Sequence, residues 1–145
     1  DFCNQRVTSE ERAFLCESSS PVSVTAKDNV SLLKIAIDFA VGNAKKTKDY
    51  FTTLSTNTDT QPSLVPVLKE CISAFDESVT QLLLITQDLL DDPPMASYDA
   101  HQANEELNSC DNSLKLGKVA DDSILSRQKI AIDYGRLVEE ISKSI

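Results

Sequence analysis

The chain has 145 residues, with 3 glycines, 5 prolines and a formal net charge of −9. This length is that of one ordinary domain, and the scarcity of turn-forming residues favours long helices over an all-β fold. The negative charge repels phosphate backbones and anionic lipid surfaces, and no apolar run approaches the ~20 residues of a membrane span, so we predict neither a nucleic-acid nor a membrane partner.

The N-terminal residues 1–22 are predicted to form a short helical hairpin that extends from the main domain. Thr8 and Glu11 form a capping-box pattern that opens the segment "SEERAFLC", and a helix of only about two turns is marginal by itself in water. A disulfide between Cys3 and Cys16 would close this segment into a small loop, and we predict that pairing.

Mostly apolar side chains recur every three or four residues along four long segments, which is the spacing of a helix with one buried face. The segments cover residues 30–54, 64–89, 96–114 and 124–145. The fourth stripe includes Arg127 and Tyr134. The pattern contains no alternation of period two, so it predicts helices and no strands.

The breaks between the stripes are short and carry residues that end or begin helices. Residues 55–63 are polar, and Gly117 is followed by Asp121-Asp122 in the last break. The second break reads "DLLDDPPMASYDAH" at residues 88–101, and its two prolines fix φ and remove backbone donors. Because short connections make consecutive helices antiparallel neighbours, we predict an all-α, antiparallel up-and-down four-helix bundle over residues 28–145, within a single domain of residues 1–145.

The four cysteines are spaced as disulfide partners rather than as metal ligands. No Cys-x-x-Cys pair occurs and His101 is the only histidine, so a structural zinc site is a weak interpretation. Cys71 and Cys110 each fall on the inward stripe of their helix, and the midpoint between them lies at Leu90 and Asp91 in the second break. Residues equidistant from the turn of an antiparallel hairpin face each other, so we predict a Cys71–Cys110 disulfide; two buried free thiols are the alternative.

Two disulfides imply an oxidising compartment, so we expect an exported protein whose signal has been removed. Asn29-Val30-Ser31 agrees with export, because it is an N-glycosylation sequon with Asn29 as the acceptor. Such triplets also arise by chance.

The titratable residues do not form a recognisable catalytic set. His101 lies beside the third stripe and has no partner cysteine or elbow-type serine motif, so a surface or half-buried structural role fits it better than that of a base. Adjacent carboxylates on a helix point in different directions, so the acidic pairs fit solvated faces and helix starts. These pairs are Asp91-Asp92, Glu105-Glu106, Asp121-Asp122 and Glu139-Glu140. We predict no enzymatic activity, no cofactor and no metal site.

This layout of four cysteines, an N-terminal hairpin and four helices resembles the plant invertase and pectin methylesterase inhibitors. The resemblance covers the whole chain and is carried by the placement of the cysteines. It implies a secreted or vacuolar four-helix bundle in which the first cysteine pairs with the second and the third with the fourth.

The second break resembles the loop that invertase inhibitors insert into the substrate cleft of the enzyme. That loop reads Asp-Pro-Lys-Phe in the family, and this chain has Asp92-Pro93-Pro94-Met95, which we name the corner. Asp92 and Pro93 match, Met95 is an apolar substitute for the aromatic residue, and Pro94 replaces the lysine. The resemblance implies that the corner binds an acid invertase, whereas a plain helix stop is the alternative interpretation of these residues.

Pectin methylesterase inhibitors use a different surface, after the third cysteine and around the fourth. The matching places here are occupied by Ser73, Glu77, Thr80, Ser109 and Asn112. Glu77 alone keeps a negative charge. These five residues form the alternative partner-binding set.

The resemblance therefore implies a secreted protein inhibitor that occludes the active-site cleft of a plant carbohydrate-active enzyme, most of all an acid invertase (β-fructofuranosidase). We expect it in the apoplast or, alternatively, the vacuole, as a monomer or a weak homodimer with a protein partner. A pectin methylesterase inhibitor and a non-inhibitory extracellular binding protein are the alternatives. A small-molecule carrier fits less well, because the stripes carry enough Leu, Ile and Phe to fill the bundle.

Overall fold

The computed structural model describes residues 26–145, which form four helices and, within that range, no strand. The helices are α1 (Ala26–Thr56), α2 (Leu64–Asp91), α3 (Met95–Leu116) and α4 (Asp122–Ser142). None of these four is long and apolar enough to span a membrane. The predicted hairpin of residues 1–22, with its Cys3–Cys16 disulfide, lies outside the described residues.

Each helix packs on two neighbours, so that the four form a closed ring. α2 contacts α1 and α3, and α4 also contacts α1 and α3. On α1, Phe39 stacks on Tyr134 of α4 with ring centroids 6.5 Å apart, and farther along α1 the Tyr50 hydroxyl donates to Ser123 Oγ at 3.0 Å. The residue numbers of the contacts on α4 fall as those on α1 rise, so α1 and α4 are antiparallel. The predicted all-α, up-and-down bundle is confirmed for the described part of the chain.

The core divides into two clusters along the bundle axis. The cluster on the side of the corner combines aliphatic residues with three small residues of α3, Ala96, Ala100 and Ala103. The other cluster surrounds Cys71 and Cys110 and includes Phe51 and Phe75, whose rings meet edge to face at 5.6 Å. Alanines along one face need little space between α3 and its neighbours, whereas the aromatic pair fills much more volume in the other cluster.

The buried side chains of Cys71 and Cys110 are joined in a disulfide, with Cα atoms 4.5 Å apart. The register argument from the sequence is therefore confirmed for this pair. The buried amide of Gln128 lies against the disulfide, because its Nε2 donates to the Leu107 carbonyl at 2.8 Å and its Oε1 is 3.2 Å from Cys110 Sγ. A disulfide sulfur carries no proton, so the second of these is a packing contact and not a hydrogen bond.

The predicted buried face of the fourth helix is partly wrong. Arg127 is exposed and its guanidinium lies 4.0 Å above the Tyr50 ring, whereas the next residue, Gln128, is buried. Ile145 is exposed too, because α4 ends before it. Buried positions 124, 128, 131, 135 and 138 also follow the helical spacing. Because two of these positions are a glutamine and a glycine, the apolar pattern in the sequence did not identify this face as the buried one.

Asn104 and Gly135 fix the contact between α3 and α4. The Asn104 amide Nδ2 donates to the Gly135 carbonyl at 3.1 Å and to Glu139 Oε1 at 2.7 Å. A Cβ atom at Gly135 would collide with this amide and meet Leu107 Cδ1 at 3.0 Å. Gly135 is therefore required by the close approach of a buried polar side chain and not by its own backbone conformation.

Replacement Gly135→Ala should lower the free energy of unfolding by about 1 to 3 kcal/mol, because the new methyl group overpacks the α3–α4 contact. Replacement Gly42→Ala is the matched control, since Gly42 is also inside a helix but has no atom within 4 Å of the added Cβ. It should raise the stability by about 0.5 to 1 kcal/mol. Urea unfolding followed by circular dichroism measures both. Equal changes for the two variants would contradict this account.

Loss of the disulfide should destabilise the bundle strongly. The bond joins residues 39 positions apart, and the chain-entropy model gives about 3 to 4 kcal/mol for a loop of that size. The double variant Cys71→Ala/Cys110→Ala should lose about that much free energy of unfolding. Unchanged electrophoretic mobility on reduction, together with four titratable thiols in protein from its native source, would contradict the disulfide.

Candidate functional site

The corner is a tight connection between α2 and α3, and its backbone is held by two prolines and by hydrogen bonds on either side of them. Asp92 ends α2 with φ −152° and ψ 76°, outside the helical region that a following proline disfavours. Its N–H donates to the Asp88 carbonyl at 2.8 Å, and the N–H of Met95 donates back to the Asp92 carbonyl at 2.9 Å. The two prolines between them have no N–H to satisfy, so the corner leaves no free backbone donor.

The side chains of the corner face solvent at one end of the bundle. All four residues from Asp92 to Met95 are exposed, with Met95 at 39%. Two further apolar residues beside it are exposed, Leu90 at 76% and Tyr98 at 56%. Among the described residues, the corner therefore presents an exposed apolar surface edged by the carboxylates of Asp91 and Asp92.

A pair of carboxyl groups, which the sequence analysis missed, lies beneath the corner. Asp99 of α3 is only 9% exposed, and Asp88 Oδ2 of α2 is buried with no hydrogen-bond donor among the described residues. Burial, a hydrogen bond to Asp99, and repulsion from Asp99, Asp92 and Asp91 together raise the pKa of Asp88 to about 6.

The alternative set lies on exposed positions of the same helix pair. Ser73, Glu77 and Thr80 are exposed along α2, and Ser109 and Asn112 are exposed on α3. The two serines are close in sequence to the disulfide cysteines, so this surface lies over the middle of the bundle rather than at the corner. The two predicted partner surfaces are therefore separate.

His101 lies between two carboxylates in a groove of about 310 Å³ between α3 and α4. Its Nε2 is 3.5 Å from Glu105 Oε1, and its Nδ1 is 3.5 Å from Glu139 Oε1. Glu139 also contacts Asn104 and Lys143, and its side chain is only 19% exposed. Glu139 is thus part of the α3–α4 contact and not simply a solvated charge, which corrects the sequence interpretation.

Other predicted positions are placed without a functional contact. Asn29, the predicted glycosylation acceptor, is half-buried in the first turn of α1 with Oδ1 buried. Asp121 is the N-cap of α4 and accepts from the Ile124 N–H at 3.0 Å, which confirms its role at a helix start. Within residues 26–145, no group of three His, Cys, Asp or Glu side chains is arranged to hold a metal ion.

No protein-family model, no curated protein and no solved structure matches this chain. The geometry of the corner and of the two helices that carry it is therefore the basis for a functional proposal.

Proposed function

We propose that this protein is a secreted inhibitor that inserts its corner into the active-site cleft of a plant carbohydrate-active enzyme, most of all an acid invertase. The observation that carries the proposal is the exposed corner without a free backbone N–H, at the end of a disulfide-linked helix pair. A plain helix stop does not need the exposed apolar side chains.

Rigidity is what makes such a corner suitable for inhibition. A flexible loop loses conformational entropy when it is bound, and that loss subtracts from the affinity of its contacts. The two prolines and the two backbone hydrogen bonds around Asp92 fix the corner before it meets a partner. Binding then needs little rearrangement.

Met95 is the apolar anchor of the proposed interface. It is partly exposed, and the exposed side chains of Leu90 and Tyr98 are close to it in sequence on either side of the corner. Burial of such a side chain in a cleft is worth about 1.5 to 3 kcal/mol. The carboxylates of Asp91 and Asp92 favour basic or hydrogen-bond-donating groups at the rim of the cleft.

The variant Met95→Ala should weaken inhibition of acid invertase by about 10- to 100-fold, since each 1.4 kcal/mol is a factor of ten in affinity. Leu125→Ala is the matched control, because Leu125 is 37% exposed, like Met95 at 39%, but lies at the opposite end of the bundle. That variant should inhibit as the parent protein does. The measurement is residual invertase activity against inhibitor concentration at mildly acidic pH.

The variant Pro94→Lys tests the same site through a change that should strengthen inhibition rather than weaken it. It restores the ammonium group that the invertase inhibitors carry at this place, which should strengthen binding to a cleft lined by catalytic carboxylates. If Met95→Ala and Pro94→Lys both left an observed inhibition unchanged, the corner would not be the inhibitory site.

Inhibition of pectin methylesterase is the second candidate, because Ser73, Glu77 and Thr80 are exposed together along α2. A pectin methylesterase assay with the parent protein and with Glu77→Gln separates the two targets, since this variant should weaken inhibition of the esterase and not of invertase. If neither enzyme lost activity while circular dichroism showed that the helices were intact, a non-inhibitory binding protein would be favoured. We place the protein in the apoplast, or alternatively the vacuole, as a monomer or weak homodimer.

A further inference from the structure

A cavity of about 490 Å³ opens at the end of the bundle opposite the corner, between the loop that joins α1 to α2 and the loop that joins α3 to α4. Its volume is in the range of sites that hold small organic molecules. The cavity shares no residue with the corner or with the alternative partner-binding set. Its aliphatic lining residues are Leu54, Leu64, Val67, Val119 and Ile124.

Two hydrogen-bond donors at this cavity, Lys118 and Ser63, are not used by the fold. Within residues 26–145, the Lys118 ammonium makes no ion pair, and the Ser63 hydroxyl caps no N–H of α2 although it occupies the N-cap position. Asp121 is the acidic residue of the lining, and its Oδ1 accepts from the Ile124 N–H at 3.0 Å. The N-terminus of α4 stabilises that charge, so the unused donors favour an anionic acceptor from outside the protein.

Lys118 has a backbone conformation that is strained for a residue with a side chain. Its φ is 54°, and it is the only non-glycine residue with positive φ in the described part of the chain. It ends α3 in a Schellman motif, because its N–H donates to the Lys115 carbonyl and the N–H of the next residue donates to the Leu114 carbonyl, both at 3.0 Å. Glycine is the usual residue at this position, since it lacks the Cβ atom that opposes positive φ.

The neighbouring glycine does not relieve this strain. Gly117 has an ordinary negative φ of −77°, and a Cβ atom added there would lie 2.9 Å from Val67 Cγ2. Gly117 is therefore required by the close approach of α2, whereas the position that needs positive φ holds a lysine. The turn alone does not explain this lysine, because a glycine would form the same turn with less strain. Strained residues of this kind are concentrated at functional sites, and Lys118 lines the cavity.

We propose that this cavity binds a small aliphatic carboxylate, whose hydrocarbon chain packs on the aliphatic lining and whose carboxylate accepts hydrogen bonds from Lys118 and Ser63. Burial of the chain supplies the affinity, and the charged hydrogen bond selects a carboxylate over a neutral head group. A glycine in place of Lys118 would relieve the strain but would remove the ammonium. Because the cavity and the corner lie at opposite ends of the bundle, this site does not depend on the proposed function.

Octanoate and octanol are suitable probes, because their chains have the same length and only octanoate is charged. In calorimetric titrations of the full chain, octanoate should bind about tenfold more tightly than octanol, as expected for one hydrogen bond between charged groups. In amide NMR spectra, octanoate should shift the signals of Val67, Val119 and Ile124 and leave that of Met95 in place. Absence of binding, equal affinities for the two probes, or shifts confined to other parts of the protein would each overturn the proposal.

The variant Lys118→Gly separates a binding role from a structural one. It should raise the melting temperature, because glycine adopts positive φ without strain, and it should weaken octanoate binding about tenfold. Lys129→Gln is the control, since it removes the same charge from an exposed position of α4 that does not line the cavity. It should bind octanoate as the parent does. Unchanged octanoate affinity in Lys118→Gly, or an equal loss in Lys129→Gln, would show that Lys118 does not recognise the carboxylate.

Discussion

The structure depends on the fixed pairing of α2 with α3. The disulfide holds this pair at the level of Cys71 and Cys110, and the corner closes it about 30 Å away at the usual helical rise. A helix pair connected at two levels cannot slide by a turn, so every residue between these two connections lies opposite a fixed level of the other helix. α1 and α4 pack on this pair and on each other, and the exposure of the corner follows from the same geometry.

Buried polar groups add specificity to that frame. Apolar stripes alone allow neighbouring helices to shift, because leucine and alanine pack acceptably in several registers. The Asn104 amide allows only one arrangement, since it must reach the Gly135 carbonyl and Glu139 at once. Gln128 does the same beside the disulfide through the Leu107 carbonyl. An unsatisfied buried amide costs more than a lost apolar contact, so these groups fix how α4 sits on α3.

The features that follow from regular residue spacing could be predicted from the sequence. The features that depend on buried polar side chains could not. Four stripes, and a midpoint between the two cysteines that falls at Leu90 and Asp91 beside the corner, were enough for the helices and the disulfide between Cys71 and Cys110. The α4 face was misassigned at Arg127 because Gln128 is polar, and hydrophobicity cannot recognise an amide whose N–H finds a carbonyl inside the protein. Asp99 lies at helical spacing between Ala96 and Ala103, which was a usable signal, but its partner Asp88 could be found only from the three-dimensional arrangement.

Of the two connections between α2 and α3, only the disulfide depends on the surroundings. A disulfide persists where the environment is oxidising. Under the proposed function this condition holds in the plant cell wall space, so the corner would be most rigid in the compartment where its target enzyme acts. In a reducing compartment the disulfide would be lost. The corner would then be an exposed apolar turn on a looser helix pair, and the entropy cost of binding it would rise.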